Sequence, residues 1–129
     1  MNIVEKLNLN QEELLAGRGA SEAQIANAEN TLQVKFASDF RQCLSAYGLF
    51  AFNGHELTGI TDNKRLSIIE VTERQRIQNP GIPADYYVIE EANIDGIVVW
   101  QSNNGEIFGT MMGSKPELIA KDFMHFLAV

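Results

Sequence analysis

Two histidines, one cysteine and a cluster of carboxylates are the residues of this chain whose types could do chemistry. His55 stands beside Glu56 and next to an Asn53-Gly54 turn. An imidazole with a neighbouring carboxylate is the minimum apparatus for general acid–base catalysis, so a small hydrolase built on His55 and Glu56 is one reading. The other is an exposed turn histidine at 55 and a partly buried helix histidine at 125, with no chemistry shared between them. No His-Glu-x-x-His spacing occurs, and a single cysteine excludes both an intramolecular disulfide and a Cys-based zinc site. The sequence therefore predicts no metal and no cofactor. Cys43 recurs at helical spacing with Phe40, Leu44 and Tyr47, an apolar setting that suits a buried structural thiol and not a nucleophile, which needs an electropositive and accessible site. The glycines at 48 and 54 lack the GxGxxG and Gly-Lys-Ser/Thr patterns that cradle phosphates. Met111 and Met112 read as residues that pack or close an edge strand.

The acidic residues stand out more. Asp and Glu number 17 against 10 Lys and Arg, a formal charge of -7 over 129 residues. Glu90, Glu91 and Asp95 are close together in sequence, and Glu106 opens a later strand. Glu70 and Glu73 on a middle helix are countered by Arg74 and Arg76. One reading is a solvated rim that keeps the protein soluble. The other is a negative face that steers a basic protein partner, with Trp100, or the pair Phe50 and Phe52, as an aromatic anchor inside it. The same balance excludes phosphate-backbone binding as a main role, since neutralising phosphates needs clustered Lys and Arg. No basic n-region with an apolar h-region opens the chain, and no apolar run approaches membrane-spanning length, which predicts a cytoplasmic protein without a membrane anchor.

The elements that must position these groups follow from periodicity. At 129 residues two separate cores would each be near the lower limit of independent folding, so the sequence predicts one domain. Ile3–Leu7 predicts a short helix or extension. Ser21-Glu22-Ala23-Gln24 is a capping-box pattern, followed by Ile25, Ala28 and Leu32 on one helical stripe. Val34 and Phe36 alternate in an extended connector. Ser38 is the expected cap of a second helix with the core face Phe40, Cys43, Leu44 and Tyr47, stopped by Gly48. Asn53-Gly54 predicts a hairpin between apolar runs. Ile68, Val71, Thr72 and Gln75 predict a helix that ends by Asn79-Pro80. Tyr86–Ile89 and Ile97–Trp100 read as strands, the second buried on both faces, with turns at Asp95-Gly96 and Asn104-Gly105. Glu106–Met111 completes a meander. Ser114 and Pro116 are the expected start of a last helix, with Ile119, Phe123, Phe126 and Leu127 on its apolar face. This order predicts an α+β domain with a mainly antiparallel sheet flanked by helices.

The ordered set Ala28-Glu29, Leu32-x-Val34-x-Phe36, Asp39-Phe40, Leu44 and Tyr47-Gly48 resembles the opening of the SUKH superfamily, the Smi/Knr-type domains. The resemblance continues through Phe52-Asn53-Gly54-His55-Glu56-Leu57-x-Gly59-Ile60, Val71-Thr72-Glu73-Arg74, Ile82-Pro83, Tyr87-Val88-Ile89-Glu90, Asp95-Gly96, Asn104-Gly105-Glu106-Ile107 and Phe123-x-x-Phe126-Leu127. It covers about residues 21–129. Ala37 departs from it, because that place usually holds proline. The resemblance implies an α+β fold and a non-enzymatic role, with no catalytic residues to carry over. It implies either an immunity protein that binds and neutralises a cognate toxin, or a regulatory interaction module without a toxin partner. For a basic, nuclease-like toxin the expected contact set is Glu90, Glu91, Asp95 and Glu106, with Trp100 as anchor. The expected assembly is a monomer or weak homodimer.

Overall fold

The computed structural model describes residues 1–92 and 94–129. Helix α1 (Ile3–Asn8) opens the chain; Asn2 and Glu5 exchange side-chain and backbone hydrogen bonds across its first turn, a capping box, and Ile3 and Leu7 are buried one turn apart. A short 3-10 turn leads into strand β1 (Leu14–Ala16), which pairs with β2 (Phe50–Phe52). Helix α2 (Glu22–Leu32) starts at the Ser21/Gln24 capping box and buries Ile25, Ala28 and Leu32 as their spacing requires. Gln33, in the left-handed region at φ 57°, ends it.

The Val34–Phe36 connector is held by Glu29, whose carboxylate is almost wholly buried. Its Oε2 accepts from the Phe36 N–H at 2.9 Å and its Oε1 accepts from Arg41 Nη1 at 3.1 Å. Helix α3 (Ser38–Tyr47) buries Phe40, Cys43, Leu44 and Tyr47. The expected Ser38 cap does not form. Ala37 takes the cap position, because its extended conformation lets its N–H donate to the Tyr87 hydroxyl at 2.8 Å. Ser38 becomes the first helical residue and accepts from Gln42.

Strand β2 turns at Asn53-Gly54, where φ is 49° and 84°, into β3 (His55–Glu56). Two positive φ values in a two-residue loop give the turn that matches strand twist. Helix α4 (Ile68–Gln78) precedes a meander of β4 (Tyr87–Glu91), β5 (Val98–Gln101), β6 (Ile107–Thr110) and β7 (Glu117–Ala120), and α5 (Phe123–Leu127) closes the chain. All named strand pairs are antiparallel, in a three-stranded sheet β1-β2-β3 and a four-stranded sheet β4-β5-β6-β7. The side of β4 away from β5 is closed by threonines. Thr58 donates its N–H to Ile89 O and its hydroxyl to Val88 O, and the Thr72 hydroxyl accepts from Val88 N–H.

The main core lies between the helices and one face of the four-stranded sheet, with Phe40, Tyr87 and Phe123 at its centre; α4 covers Val88, Val98 and Trp100 on the other face. The predicted last helix is corrected at its start. Glu117–Ala120 is strand β7, and the helix begins only after Asp122, whose carboxylate caps the His125 N–H. A strong N-cap at 122 breaks the apparent helical stripe before it. Ile119 lies instead over Gly109 of β6, its methyls filling the side that glycine leaves open.

Candidate functional site

His55 and Glu56 are neighbours on a strand, so their side chains leave opposite faces, and the anticipated pair does not form. Glu56 accepts two hydrogen bonds from the Arg65 guanidinium, at 2.7 and 3.1 Å, which holds its carboxyl below the usual range. His55 pairs with a residue that sequence proximity did not suggest. Its Nδ1 lies 2.9 Å from Glu90 Oε1, and its ring sits 4.8 Å from that of Phe126 on α5. The hydrogen bond and charge of Glu90 push the imidazole up, against the opposing effect of burial. Glu90 reaches His55 because β4 bulges between Val88 and Glu90, which turns Glu90 toward the first sheet.

The histidine expectations are therefore reversed. His55 is half-buried and clamped between β4 and α5, whereas His125 is exposed and bonded to Asp122 of its own helix. Cys43 is fully buried, and burial with the nearby Asp39 charge pushes its thiol far up, away from nucleophilic use. Met111 and Met112 are exposed.

Of the anticipated contact residues, two are withdrawn from the surface. Trp100 has 0 % exposure, packs beneath α4, and donates its Nε1–H to the Thr110 hydroxyl at 2.9 Å. A buried indole with a satisfied N–H is a core residue, so Trp100 is not an exposed anchor. Glu90 is 7 % exposed and committed to His55. Glu91 is half-buried and held by Arg74 and Gln75 of α4, at 3.0 and 2.6 Å. Asp95 is exposed in the β4–β5 turn at φ 55°. Glu106 lies at the far end of β5, near Asp85 and Tyr86, so the sheet separates it from Asp95 by the length of a strand. The four carboxylates thus do not form one patch. Phe50 and Phe52 are core residues.

A polar network that no motif announced ties the elements together. Asp39 accepts from the Phe40 and Phe123 N–H groups at 2.7 and 3.0 Å and from Gln101 Nε2 at 3.0 Å. Gln101 also accepts from the Tyr87 hydroxyl at 2.7 Å and donates to Gly105 O. Each donor and acceptor in it is used, which fixes α3, the β4–β5 ladder and α5 relative to one another. The surface carries shallow clefts. One of about 730 Å³ lies between α2 and the start of α4, lined in part by Asn27, Thr61, Asp62 and Glu70. Another of about 320 Å³ is apolar and lies on the outer face of the first sheet. No group of three or more metal-ligating side chains occurs among the described residues, and no helix there is long and apolar enough to cross a membrane.

Residues 1–128 match the SUKH_5 family, described as SMI1-KNR4 cell-wall. The chain belongs to the SUKH family. The match takes in residues 1–20, which the sequence motifs left outside. In this SUKH chain that segment is part of the fold: Ile3 and Leu7 are core residues, and the Tyr47 hydroxyl donates to Asn8 Oδ1 at 2.7 Å. No curated protein matches the chain significantly.

Proposed function

We propose that this SUKH chain is a non-enzymatic, cytoplasmic protein-binding domain that acts as an immunity protein, neutralising a cognate toxin by stoichiometric binding. The observation that carries the reading is the family match across residues 1–128. The charge of -7 supports a partner with a basic surface, such as the groove of a nuclease. Contact falls on the acidic residues that remain accessible, Asp95 with Glu91 at one end of the sheet or Glu106 at the other. The His55–Glu90 pair is a clamp between strands, because its carboxylate is occupied and its ring is covered by Phe126.

Co-expression with the product of the adjacent gene tests this directly. Relief of that product's toxicity together with a one-to-one complex supports the reading, and the absence of both refutes it. A second reading, a regulatory interaction module, is favoured by the cell-wall description of the matched family. A deletion strain with altered wall-stress resistance and no adjacent toxin gene distinguishes it.

A further inference from the structure

Two Asn-Gly pairs stand in tight turns of this chain, and the fold holds them differently. In such a pair the glycine backbone nitrogen can attack the asparagine side-chain carbon, because glycine has no Cβ to hinder the approach. The nitrogen gives up its proton to solvent, a C–N bond closes a five-membered succinimide, and the side-chain nitrogen takes up a proton and leaves as ammonia. Water then opens the ring at either carbonyl, giving aspartate or isoaspartate. Water is the only co-reactant. The reaction needs both groups free. A glycine N–H committed to a hydrogen bond keeps its nitrogen in place, and a bonded side-chain amide does not swing onto it.

Asn104-Gly105 is held on both counts. Gly105 is buried, its N–H donates to Ser102 O at 3.0 Å, and its carbonyl accepts from Gln101 Nε2 at 3.1 Å. The Ser102 hydroxyl donates to Asn104 Oδ1. Asn53-Gly54 is held on neither count. Both residues are exposed at the tip of the β2–β3 hairpin. Asn53 N–H donates to Glu13 O at 3.0 Å, a bond that uses neither reacting atom. Among the described residues, the Asn53 side chain and the Gly54 N–H have no hydrogen-bond partner. A Cβ built at Gly54 would meet nothing within 4 Å, so no neighbour confines the tip. Strand β3 below it is two residues long and pairs with β2 only at Ala51–Glu56 and Phe52–His55. The left-handed backbone of Asn53, at φ 49°, must rotate to bring the Gly54 nitrogen onto the side chain. A tip with so few contacts opens locally at small free-energy cost.

We propose that Asn53 is a site of spontaneous deamidation in the folded protein, and that its product loosens the His55–Glu90 clamp. Isoaspartate carries the main chain through the side-chain carbon and so adds one backbone atom to a two-residue loop. The geometry that closes this loop on the Phe52–His55 pair is then lost. His55 belongs to that pair, and its Nδ1 is the atom that lies 2.9 Å from Glu90 Oε1. The hairpin tip thus carries an age-dependent chemical change into the contact between β3 and β4. The inference does not depend on the chain having a toxin partner.

Incubation of the full chain at mildly alkaline pH, followed by peptide mapping with mass-spectrometric localisation of the converted residue, tests it. In the folded protein conversion at Asn53 should run at least about tenfold faster than at Asn104, where two hydrogen bonds must first break. In urea the two sites should react at similar rates, because only the fold separates them. Ser102→Ala frees the Asn104 side chain and should raise conversion there about fivefold. The isoaspartyl fraction, separated by ion exchange, should melt below the unmodified protein at pH 5.5. Equal rates at the two sites in the folded protein, a ratio unchanged by urea, or a Ser102→Ala variant without effect at Asn104 overturns the assignment of the site. An isoaspartyl fraction that melts with the unmodified protein overturns its link to the clamp.

Discussion

Replacing Glu90 by Gln keeps the shape of the side chain and removes its charge, which isolates what the carboxylate does for His55. In the native protein Glu90 raises the folded-state pKa of His55, chiefly through the 2.9 Å hydrogen bond. A histidine whose folded pKa lies above its unfolded value, about 6.5, binds its proton more tightly when folded. The resulting stability is fully present below about pH 6.5 and is lost as pH rises through the folded pKa. A hydrogen bond to a charged group contributes about 1.5–3 kcal/mol. The His55 side chain is 31 % exposed, so solvent screening reduces this to about 1–1.5 kcal/mol. Unfolding entropies near 2.1 cal/mol/K per residue translate that into a Tm lower by about 4–6 °C at pH 5.5. At pH 8.5 the imidazole has lost more of its proton than at pH 5.5, and the difference shrinks.

Urea and thermal melts of the wild type, Glu90→Gln, His55→Gln and the double variant at both pH values measure this, and the cycle isolates the pair from the separate effects of each substitution. An NMR titration of the His55 ring adds a direct readout, because its midpoint should fall in Glu90→Gln. A destabilisation of equal size at pH 5.5 and 8.5 would refute the reasoning, since it would mean that packing and not charge accounts for the loss. So would an unchanged His55 titration.

Three further outcomes follow from the geometry. Asp39→Ala orphans one N–H of the Gln101 amide and the Phe40 and Phe123 N–H groups together, so urea denaturation should show a loss of about 2–4 kcal/mol. Gly59→Ala places a Cβ at 2.2 Å from the Gly48 carbonyl oxygen, where only backbone movement relieves the clash, and its expected cost exceeds about 3 kcal/mol; Gly81→Ala meets nothing within 4 Å and should be neutral or slightly stabilising by the same assay. Ala37→Pro fits the native φ of -62° but removes the N–H that bonds the Tyr87 hydroxyl, so a conformational gain and a lost hydrogen bond, each about 1 kcal/mol, should nearly cancel in the melting temperature.

What the sequence disclosed about the fold was local. The capping box at Ser21, the Phe40–Tyr47 stripe and the Asn53-Gly54 turn each depend on residues a few positions apart, and each forms as predicted. Strand β1 escaped because three residues carry no usable period and become a strand only by pairing with Ala51 and its neighbours. The Asn104-Gly105 turn was placed correctly but is of another kind. The Ser102–Gly105 hydrogen bond brackets Asn103 and Asn104, and only Gly105 takes positive φ, so the loop has three residues.

The acidic residues show why the candidate site was harder to read than the fold. Strict alternation along β4 would put Val88 and Glu90 on one face and Ile89 and Glu91 on the other. Instead Val88 faces Trp100, Glu90 faces Val99 and Glu91 faces Val98, with Ile89 as the inserted residue. That single insertion exchanges the two glutamates. Glu90 turns to the side of His55 and is buried, while Glu91 turns to Arg74 and Gln75 on α4. Net charge and spacing are indifferent to this exchange, yet it decides which carboxylate stays accessible to a partner and which becomes part of the clamp. The bulge in turn depends on Thr58, from a separate segment, whose N–H bonds the carbonyl of the extra residue, Ile89. The identity of the more accessible acid is thus set by a contact across more than thirty positions of chain, a distance over which residue types and local periods carry no information.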